Sequence, residues 1–167
     1  MNKKAQSYII QLNLQPHPEG GYFREVYHSD EIIQKESLPT RYDGNRNFST
    51  SIYFLLEGEQ KSKFHRLKSD EQWHFYNGCP VKIYILNENG ELSVTTLGDN
   101  ILNGEVFQTV IKRNNWFAAE LIDKNSFCLV GCVVSPGFNF NDFELANRDE
   151  LITTYPQHKG LVIRFTS

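Results

Sequence analysis

The stretch FHRLKSDEQWHFYNGCP, residues 64–80, concentrates two histidines, two acidic residues and a tryptophan in a segment that ends in a turn. Polar and large apolar residues alternate along it, and a period of two predicts short β-strands. In the first strand, His65 and Leu67 share one face. In the next strand, Glu71, Trp73 and Phe75 share one face. A hairpin joining the two strands predicts that the imidazole of His65 lies close to the carboxyl of Glu71.

A histidine beside a carboxylate has two interpretations. As an acid–base pair, His65 is the base, and Glu71 orients the imidazole and keeps its pKa near neutral pH. As a structural pair, the two side chains satisfy each other in the wall of a β-barrel. The spacing alone leaves both interpretations open.

The rest of the chain predicts an all-β fold with a short helix near each end. A helical period covers Lys4–Leu12, and a second helix covers Arg148–Thr153 with Asn147 as its N-cap. Between them, short strands end at Asn, Gly, Asp or Pro turns, a pattern typical of a sandwich or barrel. Asn-Gly pairs at 77–78, 89–90 and 103–104 predict hairpin turns. The length predicts one domain over residues 1–167.

Composition excludes several classes of partner. The net charge is −3 and no run of Lys or Arg is present, so no nucleic acid is expected. No segment approaches about 18 continuous apolar residues, so no membrane span is expected. The first ten residues lack the pattern of a signal peptide. The odd set of Cys79, Cys128 and Cys132 predicts reduced thiols, buried in the apolar run around Cys128 and Cys132, and a cytoplasmic location.

Two further strands supply candidate ligand-binding residues. Along residues 49–56, Ser51 and Tyr53 share a face that we expect to line a cavity, where Tyr53 is either a general acid opposite His65 or a ligand anchor. In EGGYFREVY, residues 19–27, Tyr22 and Arg24 share a face. If that face lines the barrel mouth, the Arg24 guanidinium holds an anionic group; the alternative is an ion pair with Glu19 or Glu25.

Several motifs in order resemble one known family. The spacing Gly58-x6-His65-x-Leu67-x3-Glu71-x6-Gly78 resembles the first cupin motif, and PHPEGGYFREVYHS, SIYFLLEGE and LVGCVVSPGFNFNDFELA resemble the DUF985 family, also called cupin_5. The resemblance implies a double-stranded β-helix (jelly roll) with short flanking helices and a fold similar to the deoxysugar epimerases. It implies a homodimer, for which we expect exchange of the strand at residues 19–27. It implies no definite reaction.

Departures from the general cupin pattern predict a site without metal or other cofactor. Metal-binding cupins use two histidines and a glutamate of the first motif and one histidine of the second, but here the second histidine position is Leu67. The last position falls at Phe117 in the segment KRNNWF, where Asn114 has to supply left-handed turn geometry. His74 lies on the opposite strand parity from Glu71. Too few donors therefore remain for a zinc or iron site.

The remaining candidates are aromatic. Trp73 and Phe117 are expected either as walls of the ligand pocket or as ordinary core residues. The segment SPGFNFNDFELA supplies Phe138, Phe140 and Phe143, which we expect to fold the chain back across the barrel. The carboxylates on either side of Phe143, Asp142 and Glu144, either reach the pocket mouth or hold the C-terminal helix. Three histidines in polar turns or the C-terminal tail are expected to be solvated, namely His17, His28 and His158.

Two classes of function follow from these residues. The first is a metal-independent, isomerase- or epimerase-like enzyme acting on a sugar or nucleotide-linked metabolite, with His65, Glu71 and Tyr53 as catalytic groups and Arg24 as anion clamp. The second is a non-catalytic module that binds a carbohydrate or anionic metabolite in the same pocket. The pKa of His65 separates them, because only the enzyme needs a tuned imidazole.

Overall fold

The computed structural model describes residues 2–167. Thirteen strands and three α-helices follow one another along this part of the chain. The strands are β1 Gln15–Pro16, β2 Tyr22–His28, β3 Ile32–Ile33, β4 Arg46–Asn47, β5 Thr50–Glu57, β6 Lys61–Leu67, β7 Asp70–Gly78, β8 Val81–Leu86, β9 Leu92–Leu97, β10 Gln108–Ile111, β11 Trp116–Leu121, β12 Phe127–Ser135 and β13 Phe143–Leu145. The helices are α1 Lys3–Gln11, α2 Arg148–Thr154 and α3 Lys159–Phe165.

Two antiparallel sheets face each other, as the sequence predicts for a jelly roll. The six-stranded sheet has the order β1-β2-β5-β12-β7-β10, and the five-stranded sheet has the order β13-β6-β11-β8-β9. Consecutive strands often lie in opposite sheets, so that the apolar side of each sheet is buried against the other. The main core lies between the sheets and is built around Phe54, Trp73, Ile83 and Phe117. The all-β double-stranded β-helix is therefore confirmed.

The helices pack on the outer faces of the two sheets. Helix α1 begins at Asn2, whose side chain accepts hydrogen bonds from two backbone N–H groups, and its Ala5 packs against Leu55 of β5. Helix α2 begins at Asn147, as predicted, and the Asn147 side chain caps its first turn. The sequence did not predict α3, whose Phe165 packs against Phe64 of β6.

The roles of the Asn-Gly turns differ in part from the prediction. Asn89–Gly90 does connect the hairpin of β8 and β9. The Asn-Gly pairs at 77–78 and 103–104 instead carry the chain from one sheet to the other. A Cβ on Gly78 would lie 2.1 Å from the carbonyl oxygen of Phe127, so this crossing requires glycine. Asn114 has a φ of 64°, which confirms the predicted left-handed turn before β11.

Strands β6 and β7 do not form the predicted hairpin. Strand β6 pairs with β11 and β13, and β7 pairs with β10 and β12 in the other sheet. The linker of two residues between them carries the chain from one sheet to the other. His65 and Glu71 therefore approach each other from opposite walls of the barrel.

No helix within residues 2–167 is long and apolar enough to span a membrane. The cysteines form no disulfide in this part of the chain. Cys128 and Cys132 are buried, as predicted, while Cys79 is partly exposed.

Candidate functional site

A cavity of about 90 Å³ lies between the two sheets. Strands of both sheets and the segment that follows β12 contribute side chains to it. Its walls are formed by His17, Glu19, Phe23, Glu25, Thr50, Ile52, Phe54, His65, Leu67, Glu71, Trp73, Cys132, Val134, Phe138, Phe140 and Phe143. Such a volume holds several water molecules or one small organic molecule.

A buried ion pair forms one side of the cavity. The Nε2 atom of His65 lies 3.0 Å from Oε2 of Glu19, and its Nδ1 atom lies 2.7 Å from the carbonyl oxygen of Lys63. A carbonyl oxygen only accepts, so Nδ1 donates to Lys63. Burial opposes charge on both partners, but the negative charge of Glu19 raises the pKa of His65, and His65 in turn lowers the pKa of Glu19. The imidazolium of His65 therefore uses both N–H groups on protein oxygens.

The segment before β2 brings Glu19 into the barrel. A Cβ on Gly20 would lie 2.1 Å from the carbonyl oxygen of Lys61, and Gly20 has a φ of 113°. Only glycine allows the backbone to approach β6 this closely in that conformation. The other carboxyl oxygen of Glu19, Oε1, accepts a hydrogen bond from the Ser62 hydroxyl at 2.7 Å. The sequence EGG therefore fixes this carboxylate beside His65.

His17 lies at the same end of the cavity and is not solvated, contrary to the prediction. Its side chain is 7% exposed and packs edge-on against the ring of Phe23, with a centroid separation of 4.6 Å. Burial lowers the pKa of His17, and its Nδ1 atom accepts a hydrogen bond from the Glu19 backbone N–H at 3.3 Å. The ring is therefore neutral and carries its proton on Nε2.

Glu71 and Trp73 approach the cavity from the opposite sheet. Glu71 is 7% exposed and Trp73 is 1% exposed. Among the described residues, Oε2 of Glu71 and Nε1 of Trp73 form no hydrogen bond of normal geometry, although the Trp73 indole N–H and the Cys132 thiol lie close enough to the Glu71 carboxyl to lower its pKa. Burial raises the pKa of Glu71 to about 7; the charge of Glu19 adds to this effect, and the charge of His65 opposes it. The cavity thus contains one donor and one carboxyl oxygen without a well-formed hydrogen bond, and the pKa of that carboxyl is raised.

An aromatic segment closes the cavity. Phe138, Phe140 and Phe143 contact one another in edge-to-face arrangements, with centroids 5.0–6.2 Å apart. We call residues 136–143 the aromatic lid. The lid is held by Asp142, which is paired with the buried guanidinium of Arg46 through two hydrogen bonds of 2.5 and 2.6 Å. This carboxylate therefore anchors the lid instead of reaching the pocket mouth.

Four of the sequence-predicted site residues come together in or against this cavity. His65, Glu71 and Trp73 line it. Phe117 packs on the imidazole of His65, with a ring-centroid separation of 4.0 Å, and is itself fully buried. Phe117 is therefore a core residue that supports the imidazole and does not itself line the cavity.

Tyr53 and Ser51 do not line the cavity, which corrects the expectation for β5. The cavity is lined by Ile52 and Phe54, so the alternate side chains face the other way. Tyr53 packs under helix α1 and against Tyr76, with centroids 6.1 Å apart. Alternation identifies two faces of a strand but not which one is inside, and here the helix covers the face that bears the tyrosine.

Arg24 and Tyr22 are also outside the cavity, which corrects the expectation of an anion clamp. In the register of β2 with β5, Arg24 lies opposite Tyr53 and Tyr22 opposite Leu55, both on the outer face. The Arg24 guanidinium donates to the carbonyl oxygen of Leu12 at 3.0 Å, at the end of helix α1. Neither of the predicted ion pairs, with Glu19 or Glu25, involves it among the described residues. Its partner is a carbonyl at the negative end of a helix.

The donor set does not fit the metal site of the general cupin pattern. Leu67 and Phe117 place hydrocarbon at two of the four positions, and Nε2 of His65 is directed at Glu19. No group of three or more His, Cys, Asp or Glu within residues 2–167 is arranged to hold a metal ion. A divalent ion would have to break the ion pair of His65 to gain a nitrogen ligand.

Sequence reasoning missed the roles of Glu19 and His17. Both lie in PHPEGGY, a segment whose glycines indicate a close approach of the backbone to another strand. The pairing of Glu19 with His65 joins residues more than 40 positions apart, however, and no local period encodes it. Glu19 therefore takes the place beside His65 that the sequence analysis assigned to Glu71.

Comparison with known families agrees with the motif resemblance. The model of the family described as Cupin superfamily (DUF985) matches residues 6–146. The chain is 31% identical over 156 residues to the uncharacterized protein YML079W of Saccharomyces cerevisiae, which covers 87% of this chain and 77% of the yeast protein.

Solved structures give the same result. Protein SO0799 from Shewanella oneidensis has a TM-score of 0.88 and 36% identity, over 100% of this chain and 98% of that one. A hypothetical protein from Leishmania major has a TM-score of 0.85 and 31% identity, over 97% of this chain and 98% of that one. Oxalate decarboxylase from Bacillus subtilis has a TM-score of 0.55 at 14% identity, over 90% of this chain and 36% of that one, a likeness of fold alone.

Proposed function

The chain belongs to the Cupin_5 family (DUF985) of the cupin superfamily, and we propose that it binds a small molecule in the cavity between its sheets without a metal ion. One observation carries the proposal. Oε2 of Glu71 and the indole N–H of Trp73 belong to side chains that line an aromatic cavity, and neither forms a hydrogen bond of normal geometry within residues 2–167.

Buried polar groups without hydrogen-bond partners destabilise a fold. Each such group costs about 1–3 kcal/mol relative to a hydrogen-bonded one. Most buried polar groups in proteins are therefore paired, and exceptions point to a missing partner. A ligand that hydrogen-bonds to Glu71 and Trp73 and lies against the phenylalanine rings satisfies both groups at once.

Binding is favoured over the catalytic roles that the sequence suggested. The two N–H groups of His65 donate to the carboxylate of Glu19 and to the carbonyl oxygen of Lys63. His65 therefore lacks the free nitrogen lone pair that a general base requires. Tyr53 is on the outer face and cannot act as the opposing acid. A binding module needs neither group.

A cavity-filling substitution tests the proposal. Cys132 lines the cavity, and Val133, the next residue of β12, points to the opposite face of the same strand. We expect Cys132→Met to abolish binding of small fragments detected by the shift of the Trp73 indole resonance, and Val133→Met to leave it intact. Native mass spectrometry of the purified wild-type protein identifies any molecule that co-purifies. A fragment screen in which Cys132→Met binds as well as the wild type contradicts the proposal.

A second candidate function is supported by the pKa of about 7 for Glu71. A carboxyl near neutrality in a semi-dry cavity is suited to general acid–base catalysis. In the isomerisation of an α-hydroxy carbonyl compound, the Glu71 carboxylate takes the proton from the hydroxyl-bearing carbon, and the electron pair moves to the carbonyl oxygen, which takes up the hydroxyl proton. The Glu71 carboxyl then returns its proton to the former carbonyl carbon, and the carbonyl group forms on the neighbouring carbon. Deuterium incorporation from D₂O into a bound carbonyl compound, lost in Glu71→Gln, distinguishes this enzyme from the binding module.

The proposal also includes the oligomeric state of the protein and its location in the cell. We propose a homodimer that uses the strand at residues 19–27, because the outer edge of β2 beyond Phe23 has no strand partner among the described residues. We also propose a cytoplasmic location, which agrees with three cysteines that form no disulfide.

A further inference from the structure

The charges around the cavity are mostly negative. Glu19, Glu25 and Glu71 line it, and no Lys or Arg does so in the described part of the chain. The only lining side chain whose positive charge is stabilised there is His65, since burial keeps His17 neutral. Two buried carboxyls, those of Glu19 and Glu71, therefore share one cation.

Glu71 receives no hydrogen bond from the His65 imidazolium. The two N–H groups of His65 face Glu19 and the carbonyl oxygen of Lys63, at 3.0 and 2.7 Å. A carboxylate buried with no partner is strongly disfavoured, and it takes up a proton instead. A proton on Glu71 therefore removes the charge that no cation neutralises directly.

The cavity walls are suited to a positively charged guest. Six aromatic side chains line it besides His17 and His65, namely Phe23, Phe54, Trp73, Phe138, Phe140 and Phe143. The face of an aromatic ring attracts a cation, and the attraction is stronger where water is excluded. Because the Trp73 N–H forms no hydrogen bond of normal geometry in the described residues, the guest also needs a neutral acceptor close to its own positive group.

We propose that the ligand is a small protonated amine with a hydroxyl or carbonyl oxygen nearby, whose ammonium group pairs with Glu71 and whose oxygen accepts from Trp73. This inference rests on the proposed binding function and names its ligand class. An anionic metabolite is disfavoured by the same charges, because Glu25 and ionised Glu71 would repel it and the one cation, His65, is already paired with Glu19. The nucleotide-linked sugar suggested by the family's fold similarity is therefore disfavoured.

Binding of such an amine depends on pH through Glu71. The groups that face Glu71 are His65 of β6, Glu19 before β2, Trp73 of its own strand and Cys132 of β12. Cys132 stays neutral, because burial raises its pKa well above the ordinary value. The amine pairs with the ionised carboxylate, so its binding displaces the proton and its affinity rises with pH. With a pKa of about 7 for Glu71, the dissociation constant falls roughly tenfold between about pH 6 and about pH 8.

Three probes of matched size and different charge test the proposal. They are 1-amino-2-propanol, a cation; propane-1,2-diol, which is neutral; and lactate, an anion. The chain contains two tryptophans, so the indole N–H groups of ¹⁵N-labelled protein give two resonances. Trp73 lies in the cavity, whereas Trp116 packs outside the barrel under the C-terminal helices and serves as an internal reference. We expect only the amine to shift the Trp73 resonance at about pH 8.

Two variants identify the carboxyl that binds the amine. Glu71→Gln preserves shape and removes the charge, so we expect the affinity for the amine to fall by at least about tenfold. Glu144→Gln is the matched control, because that carboxylate is exposed and paired with Arg66 on the surface. We expect the control to bind the amine as the wild type does.

Several results overturn the inference. A Trp73 shift that is as large with the diol or lactate as with the amine shows that the site does not select a cation, while the proposed binding function stands. No shift with the amine, or equal affinity in Glu71→Gln, also overturns it. Stoichiometric binding of zinc or manganese that excludes the amine shows that a metal ion supplies the missing charge. Failure of the cavity-filling test removes the binding function itself.

Discussion

The fold keeps the carboxyl of Glu71 protonated at pH values where the unfolded chain ionises it. Its pKa is about 7 in the folded protein, against an ordinary value of 4.5. Between these values the folded chain holds a proton that the unfolded chain has released. Rising pH therefore favours the unfolded chain, and this group lowers the free energy of unfolding by roughly 3 kcal/mol once the pH exceeds 7.

Glu71→Gln tests this linkage. We expect the wild type to lose roughly 3 kcal/mol more of its free energy of unfolding between about pH 4.5 and about pH 8 than the variant does. Urea denaturation at several pH values measures the difference. His65 contributes a separate loss at higher pH, because its pKa is raised and its stabilising effect disappears only as the pH passes that raised value. The same pH profile in wild type and variant would contradict the assignment to Glu71.

At the scale of the element, the aromatic lid is held by a buried ion pair as well as by the pairing of Phe143 with Leu67 of β6. Arg46 of β4 and Asp142 of the lid are each 3% exposed and form a bidentate pair. Removal of one partner from a buried pair leaves the other charge uncompensated. Lys68 also approaches Asp142, at 3.3 Å, but its side chain is 31% exposed.

Arg46→Met should therefore loosen the lid. We expect a loss of about 3–5 kcal/mol in the free energy of unfolding and faster amide exchange across residues 136–143. Lys68→Met is the matched control, with an expected loss below about 1 kcal/mol, because its ion pair is partly solvated. Chemical denaturation and hydrogen-exchange mass spectrometry give both readouts. Unchanged exchange of the lid in Arg46→Met would show that the phenylalanine contacts hold it without the ion pair.

Individual elements also show how far the sequence determines the fold. Local rules predicted the Asn147 cap and the left-handed Asn114, because capping and turn geometry depend on near neighbours. Motif spacing predicted that Leu67 and Phe117 would occupy the would-be metal positions with hydrocarbon. The same local rules placed Tyr53 on the wrong side of β5, because which face is inside depends on where α1 packs.

The pairing of side chains across the barrel was beyond local rules. Glu19 and Glu71 are both near His65, but only Glu19 lies within hydrogen-bonding distance of the Nε2 atom of His65. No periodic pattern in the sequence indicates which of the two carboxylates pairs with His65. Contacts across the barrel depend on the packing of the two sheets, and packing depends on the whole core.

For the whole molecule, the helices cover the outer faces of the two sheets, while one edge of the six-stranded sheet is partly open. Strand β1 pairs with β2 only at Tyr22 and Phe23. Beyond these residues the outer edge of β2 has no strand partner among residues 2–167, and Val26 and Tyr27 are 44% and 53% exposed. An open edge with apolar side chains favours pairing with another chain unless something covers it.

The predicted homodimer follows from this edge. Two copies related by a two-fold axis bring the same strand of each chain together, which removes both open edges at once. We expect light scattering on the eluted protein to give twice the chain mass of 19.4 kDa, and the double variant Val26→Lys/Tyr27→Lys to give the single mass, because four lysines would face one another at the contact. The matched control is Ile122→Lys, an exposed apolar position at the end of β11 that is remote from β2. A wild-type protein that elutes with the mass of one chain, or a double-lysine variant that remains a dimer, would exclude β2 as the contact.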